Sequence, residues 1–208
     1  MLTAVLVYYK DSGVLDYDQF ELNKSITEKT FDNYADRVVT ASLNYNIPAE
    51  YCLALIALEC SGRKIVPHRF EPHVYKKLDR VARGKLKKME NVTRAQLDGL
   101  SESGMKELSS SWGPFQIMGY KCFDIRVNVS DLRSSKSIDM GMKWIDQSYG
   151  HVLAKQDFKS AFHIHNTGSP YPKFGPPKTY HHDYVPRGLK YMEEFSKMLD
   201  SAKDSLIQ

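Results

Sequence analysis

The sequence has few cysteines, no long apolar run and only a small net charge. Its three cysteines are Cys52, Cys60 and Cys122, and an odd number cannot all pair within the chain. Cys52 and Cys60 lie two turns apart on a predicted helix, which is too far for a disulfide bond. We therefore expect three reduced thiols, which excludes a disulfide-stapled scaffold and indicates folding in a cytoplasm.

No segment is long enough and apolar enough to span a membrane. Residues 1–9 are apolar, but they lack a basic region and a small-residue cleavage site. We therefore do not interpret them as a secretion signal, and we expect synthesis in the cytoplasm.

The net charge of +4 is a small excess of basic residues. Such a charge suits an anionic polymer as partner, and both cell wall and nucleic acid fit that description. A basic stretch at 76–94 is most simply a solvated helix face, and it can also attract anionic polymers in a salt-sensitive way. Because no nucleic-acid-binding motif is recognised, we expect no nucleic-acid partner.

The length and composition predict one domain with an apolar core. We assign residues 1–208 to it, with an N-terminal arm of about residues 1–26, in which 5–9 form a short strand or a loose arm. The apolar spacing predicts a mostly helical chain with a small strand region in its first half. The predicted helices cover 31–46, 48–60, 72–78, a stripe within 138–149 and another within 189–195. The other predicted segments are strand-like residues at 65–70, a loop or helix entry at 101–111 and a rigid proline-rich loop at 168–177.

Glu59 is the most informative residue, because it ends the apolar helical run 53–58 and is followed by Cys60, Ser61 and Gly62. Apolar surroundings disfavour the charged form of a carboxyl group. A protonated carboxylic acid can donate a proton to a glycosidic oxygen. Gly62 is well placed to end the helix. Alone, the pattern favours a partly exposed carboxylate at a helix end.

Three later segments strengthen the interpretation. Residues 109–120 contain a Gly-Pro turn and then Gln116 between apolar neighbours, and a buried amide needs hydrogen-bond partners such as sugar hydroxyls. Residues 162–168 and 184–191 follow. The four segments, in this order, resemble those of lytic transglycosylases and goose-type lysozymes, which cleave peptidoglycan glycan strands.

In that resemblance Glu59 stands in the Glu-Ser motif, 113–116 in the Gly-Leu-Met-Gln motif, 165–168 in the Tyr-Asn-x-Gly motif, and Tyr184 at the closing tyrosine. Residues 69–75 and 111–120 more closely resemble the N-acetylmuramidase domain of phage endolysins, and the likeness covers about residues 48–195. The sequence departs from the pattern at Cys60, at 114–115 and at His165. These departures affect substrate specificity more than reaction class.

The resemblance implies a mainly α (α+β), lysozyme-like fold with a small strand region beside the cleft. It also implies cleavage of the β-1,4 bond between N-acetylmuramic acid and N-acetylglucosamine, with Glu59 as the general acid. Glu71 is a second candidate: it activates water in an inverting hydrolase, or it is structural and pairs with Arg69 or a backbone amide. A lytic transglycosylase needs one carboxyl only, because the sugar's own hydroxymethyl group attacks.

Further residues are candidates for binding the glycan. Gln116 and Asn166 have amides suited to acetamido and hydroxyl groups, with loop capping as the simpler role. His165 is assigned to substrate binding by its motif. Ser110 and Ser111 are expected to line the cleft or to belong to a loop without a role. Tyr184 is expected to hydrogen-bond Glu59, or else to be a core aromatic with its hydroxyl at the surface.

We expect no metal or organic cofactor. The histidines at 163, 165, 181 and 182 invite a zinc site, but residues two apart on a helix face apart and no ligand spacing is recognised. The expected partner is the peptidoglycan glycan strand, the expected place of action is the cell wall, and the expected state is a monomer. Two other functions stay open: a non-catalytic wall-binding module and a basic nucleic-acid binder.

Overall fold

A computed structural model describes residues 23–207 of the chain, and the side chains of residues 23–205. The predictions for most of the N-terminal arm, for a strand at 5–9 and for the absence of a secretion signal lie outside the described residues.

The described residues form mostly helices, with five very short strands between the second and sixth helices. The helices are α1 (Ile26–Tyr45), α2 (Ala49–Cys60), α3 (Pro72–Ala82), α4 (Arg94–Leu97), α5 (Glu102–Leu108), α6 (Cys122–Ile125), α7 (Ser137–Leu153), α8 (Phe158–Thr167) and α9 (Tyr184–Ile207). The strands are β1 (Arg69–Phe70), β2 (Lys88–Met89), β3 (Val92–Thr93), β4 (Ser110–Trp112) and β5 (Ile117–Met118). Gly119–Lys121 and Val129–Arg133 form 3-10 turns. No helix within residues 23–207 is long and apolar enough to cross a membrane.

Helix α2 is the central element of the core. Its residues 51–57 are buried on every face, and helices α1 and α9 pack against it. Burying a leucine or isoleucine side chain contributes about 1.5–3 kcal/mol relative to leaving it exposed, so this helix is held firmly. It ends where Ser61 adopts a left-handed conformation, one residue earlier than the predicted Gly62. Glu59 therefore lies in its last turn.

Helix α1 begins at a capping box. The Ser25 hydroxyl accepts from the Glu28 backbone, and the Glu28 carboxylate accepts from the Ser25 backbone, which satisfies two free N–H groups. The buried face includes Tyr34, Val38 and Ala41 of the predicted stripe. The other two members of that stripe, Val39 and Leu43, are exposed. The stripe predicted in α7 is buried as well, from Ile138 to Tyr149.

The small strand region is a three-stranded antiparallel sheet in the order β1-β4-β5. Arg69 pairs with Ser111, and Ser111 pairs with Met118. Strand β1 is shorter than the predicted 65–70 segment. The segment predicted as a loop or helix entry at 101–111 instead forms helix α5 followed by β4, which is the middle strand of the sheet.

The prediction of one solvated helix face at 76–94 is wrong. Helix α3 ends at Ala82, and Gly84 has φ +69°, a conformation that glycine adopts without steric cost. The chain then forms the β2-β3 hairpin and helix α4. The basic side chains of this stretch therefore lie on several elements, and two of them reach a cavity described below.

Candidate active site

An open cleft of about 830 Å³ lies at the C-terminal end of α2, between the 63–71 segment, the small sheet and the first turn of α9. The predicted site residues that line it are Glu59, Glu71, Ser111, Gln116, His165, Asn166 and Tyr184. The four sequence segments thus meet at one place, although up to 125 residues separate them.

Ser110 is the predicted site residue that does not line this cleft. Its side chain is buried, and its hydroxyl donates to the Lys106 carbonyl at 2.8 Å. The reason is strand geometry: successive residues of a strand point to opposite faces, so Ser111 faces the cleft and Ser110 faces α5.

The Glu59 side chain is 17% exposed, and its carboxyl group is held by Tyr184, whose hydroxyl donates to Oε1. The predicted hydrogen bond between these residues is therefore present, and Tyr184 itself is buried. Burial, together with the Glu59 carboxylate, raises the pKa of the Tyr184 hydroxyl well above its usual value. The phenol therefore remains a donor across the whole neutral range.

Close packing of α9 on α2 makes this contact possible. Gly188, one turn after Tyr184, faces Leu58 and Phe162, and a Cβ atom there would lie 3.0 Å from each. That spacing is tighter than ordinary van der Waals contact, so a Cβ atom at this position would require the Leu58 and Phe162 side chains to shift. Glycine therefore allows the close packing of α9 beside the Glu59 helix.

His165 lines the cleft, but both of its ring nitrogens are bonded to the protein. Nε2 lies 2.9 Å from the Phe115 carbonyl oxygen, and Nδ1 lies 2.8 Å from the Tyr149 hydroxyl. A carbonyl only accepts, so Nε2 has the hydrogen and neutral Nδ1 accepts from Tyr149. Tyr149 in turn accepts from Tyr51 at 3.2 Å. Tyr149 lies at a kink of α7, where its backbone leaves the helical conformation. A directed chain of hydrogen bonds therefore runs from α2, through α7 and His165 of α8, to the β4–β5 hairpin.

The His165 side chain is only 5% exposed. Burial lowers its pKa from the usual 6.5, while the nearby Glu59 charge and the bond to Phe115 oppose that shift. The neutral ring fits the hydrogen-bond pattern. His165 thus holds the walls of the cleft in place, and it has little surface left for a ligand.

Glu71 makes the ion pair that the structural alternative predicted. Glu71 occupies the N-cap position of α3, but its side chain makes no capping hydrogen bond. Its Oε1 atom lies 2.5 Å from Arg69, and His73 lies 3.5 Å from the other oxygen. Its backbone N–H donates to Ser109. Glu71 nevertheless lines the same cleft as Glu59, so both alternatives for its role stay open.

The Gln116 amide holds the β4–β5 turn. Its oxygen accepts from the Ser111 hydroxyl at 2.8 Å, and its nitrogen donates to the Gly113 carbonyl at 3.0 Å. The backbone of Gln116 has φ +48°, which is uncommon for a side chain of this type. The amide nitrogen of Gln116 also donates to the Pro67 carbonyl at 3.4 Å, so both of its N–H groups are engaged. Gln116 and Ser111 thus shape one wall of the cleft that they line.

Asn166 lies on the opposite wall, at the end of α8. It is exposed, and its Oδ1 atom accepts from the Tyr180 backbone at 3.3 Å. That contact fixes the segment that follows the proline-rich loop, and Tyr180 also lines the cleft. The Asn166 amide nitrogen forms no hydrogen bond within residues 23–205, which leaves it available for a ligand.

The clustered histidines do not form a metal site within residues 23–207, where no three potential ligands lie together. Both ring nitrogens of His163 are bonded: Nδ1 contacts the Ser169 carbonyl at 2.6 Å, and Nε2 accepts from the Lys178 backbone at 3.1 Å. This histidine fastens the proline-rich loop to α8.

Sequence reasoning missed Tyr51 and Tyr149. Both are completely buried, and they contact each other across 98 residues of chain. Tyr149 was assigned to the apolar stripe of its helix, where a hydroxyl gives no periodic signal. Only the tertiary structure shows that the two tyrosines belong to the surroundings of Glu59.

Comparison with solved structures indicates the fold of the chain. No family model and no curated protein matches the sequence. The structure is similar to the crystal structure of the Burkholderia AP3 phage endolysin, with a TM-score of 0.52 and 14% identity over 78% of this chain and 70% of that one. The chain has an endolysin-like fold. The predicted mainly α, lysozyme-like architecture with a small antiparallel strand region is therefore confirmed.

Proposed function

We propose that this protein degrades peptidoglycan by cleaving the β-1,4 bond between N-acetylmuramic acid and N-acetylglucosamine, with Glu59 as the general acid. The observation that best supports this is the Glu59 carboxyl group, held by Tyr184 at the base of an open cleft. The endolysin-like fold agrees with that substrate class.

The geometry suggests how the first step proceeds. Tyr184 donates to Oε1 of Glu59, and within residues 23–207 no hydrogen bond engages Oε2, which is left to hold the proton. Glu59 protonates the leaving glycosidic oxygen, and positive charge develops on the muramic acid ring. The Tyr184 hydroxyl then stabilises the new carboxylate, because a hydrogen bond to a charged acceptor is stronger than one to a neutral acceptor.

Two routes complete the reaction. In a hydrolase, Glu71 activates water, which requires about 6.5–9.5 Å between the two carboxyl groups. In a lytic transglycosylase, the sugar's own hydroxymethyl group attacks and Glu59 takes its proton. The transglycosylase is kept as the second candidate because Arg69 pairs with Glu71. This ion pair occupies a carboxylate oxygen that Glu71 would use as a base.

The deciding experiment digests purified peptidoglycan and determines the product ends by mass spectrometry. Hydrolysis gives free reducing ends, whereas transglycosylation gives 1,6-anhydro-muramic acid, lighter by one water molecule. Zymography on cell-wall substrate tests the remaining rivals. Tight wall binding without clearing would indicate a non-catalytic module, and binding to nucleic acid alone would indicate the third class.

The cell wall is the proposed place of action, and the proposed unit is one monomeric domain. Neither an organic cofactor nor a metal is required, because proton transfer and charge stabilisation by Glu59 and Tyr184 are enough for this chemistry.

A further inference from the structure

A second cavity of about 950 Å³ continues the cleft on the far side of Glu71. The two cavities are one groove, because they share six lining residues. These are Arg69, Glu71, Gln116, Met118, His165 and Asn166.

The chemistry of the second cavity differs from that of the first. Its wall includes the side chains of Lys77, Lys88 and Lys121, from helix α3, strand β2 and the 3-10 turn. Two carboxylates also lie there, and both are already paired: Glu71 with Arg69, and Glu90 with Lys121.

Lys77 and Lys88 are the remaining lysines of this wall, although the charge of Lys77 also acts on the Glu90 carboxylate. Both are exposed, and no carboxylate within residues 23–205 forms an ion pair with either ammonium group. They lie beside apolar residues, among them Val74, Leu86 and Met89. A ligand that fits this wall therefore carries both anionic groups and aliphatic groups.

We infer that the second cavity binds the stem peptide of the muramic acid, with Lys77 and Lys88 contacting its carboxylates. This inference rests on the proposed function. A glycan seated at Glu59 carries its peptide on the lactyl group of muramic acid, so the peptide leaves the sugar within reach of the continuous groove. Stem peptides combine free carboxylates with short aliphatic residues, which matches the wall.

The consequence is a preference for peptide-bearing glycan over naked glycan. Exposed ion pairs contribute little individually, and two of them correspond to about a 2- to 30-fold change in binding. The lysines act in binding, so the change should appear in KM and leave kcat nearly constant.

The test compares the K77E/K88E variant with K76E/K87E. Each control lysine is the sequence neighbour of a test lysine, is exposed, and does not line the cavity, so both variants change net charge equally. Activity is measured on sacculi that contain no phosphate polymers, and on the same glycan after amidase removal of the stem peptides. Melting temperatures check that both variants fold, and K77Q/K88Q repeats the test without charge reversal.

We expect K77E/K88E to raise KM about 2- to 30-fold above the control variant on peptide-bearing sacculi, with the difference disappearing on peptide-free glycan. K77Q/K88Q should show a smaller change in the same direction. Equal behaviour of test and control variants on sacculi would overturn the inference and leave the proposed function intact. An equal loss on both substrates would mean that the lysines bind the glycan itself, which also overturns it. Failure of the native protein to cleave either substrate would overturn the proposed function, and the inference with it.

Discussion

The Nε2 atom of His165 lies 4.0 Å from Oε1 of Glu59, yet its hydrogen points to the Phe115 carbonyl and not to the carboxylate. The acid and the imidazole are thus neighbours without sharing a proton. Tyr184 supplies the hydrogen bond to Glu59 instead. This division of partners leads to separate predictions for each residue.

Replacing Glu59 with Gln should abolish glycan cleavage and preserve the fold. The two side chains are nearly equal in size, so packing survives while the transferable proton is lost. General acid–base catalysis contributes roughly 100- to 10,000-fold. The rate of wall lysis and the melting temperature measure the two effects, with Glu50→Gln in the first turn of the same helix as control. If the Glu59→Gln variant lyses walls at more than about a tenth of the native rate, its loss is smaller than general acid catalysis requires. Glu59 would then be excluded as the acid.

Replacing Tyr184 with Phe should slow catalysis by about 10- to 150-fold. The change removes one hydrogen bond to a charged group, worth about 1.5–3 kcal/mol. The ring remains, so the melting temperature should barely move. Turnover on purified peptidoglycan is the measurement. Tyr191→Phe, on the same helix but away from the cleft, should keep the native rate. Native turnover in the Tyr184→Phe variant would remove that residue from the site.

Replacing Glu71 with Gln separates the two chemical routes. If Glu71 activates water, activity falls steeply with little loss of stability. If the enzyme is a transglycosylase, the anhydro products persist and the rate changes modestly. Glu107→Gln is the matched control, because Glu107 pairs with Arg133 at 2.9 Å outside this cleft. A melting temperature lowered well beyond that of the control would support a purely structural role for Glu71.

Acidification should destabilise the native protein through His165. Its pKa is lowered in the folded state by burial, whereas the unfolded chain titrates near 6.5. Below that pH the unfolded state binds more protons than the folded state, so stability falls as pH falls and is insensitive to this group above it. The His165→Gln variant has no titrating side chain at this position. Its melting temperature should therefore drop less than the native one between about pH 7 and pH 5, and parallel curves would contradict this prediction.

Much of the helical framework could be predicted, because apolar periodicity marks helices packed on a core. The stripe of α7 is buried where its spacing placed it. The stripe of α1 is buried at Tyr34, Val38 and Ala41 but exposed at Val39 and Leu43. The hydrogen bond from Tyr184 to Glu59 followed from the family resemblance. Strands of two or three residues were harder, since so short a segment has no measurable alternation. For that reason Ser110 and Ser111 were not distinguished.

The supporting hydrogen bonds could not be predicted, because they depend on contacts distant in sequence. Phe115 enters the site through a backbone carbonyl, an atom that every residue has. The Tyr51–Tyr149 bond joins two helices that have no common motif. The basic stretch is divided among several elements by a glycine turn and a short hairpin. A count of positive charges along the sequence predicts neither of these.

The two buried cysteines of α2 can be used to measure how often this helix opens. Cys52 and Cys60 lie on α2, at either end of the run that leads to Glu59. Burial raises the pKa of Cys60 to about 11 and that of Cys52 still higher. Because the thiolate is the reactive form, alkylating reagents should modify these thiols only as fast as the helix is exposed. The rate at which Cys52 and Cys60 are alkylated therefore measures how often the scaffold of the acid opens.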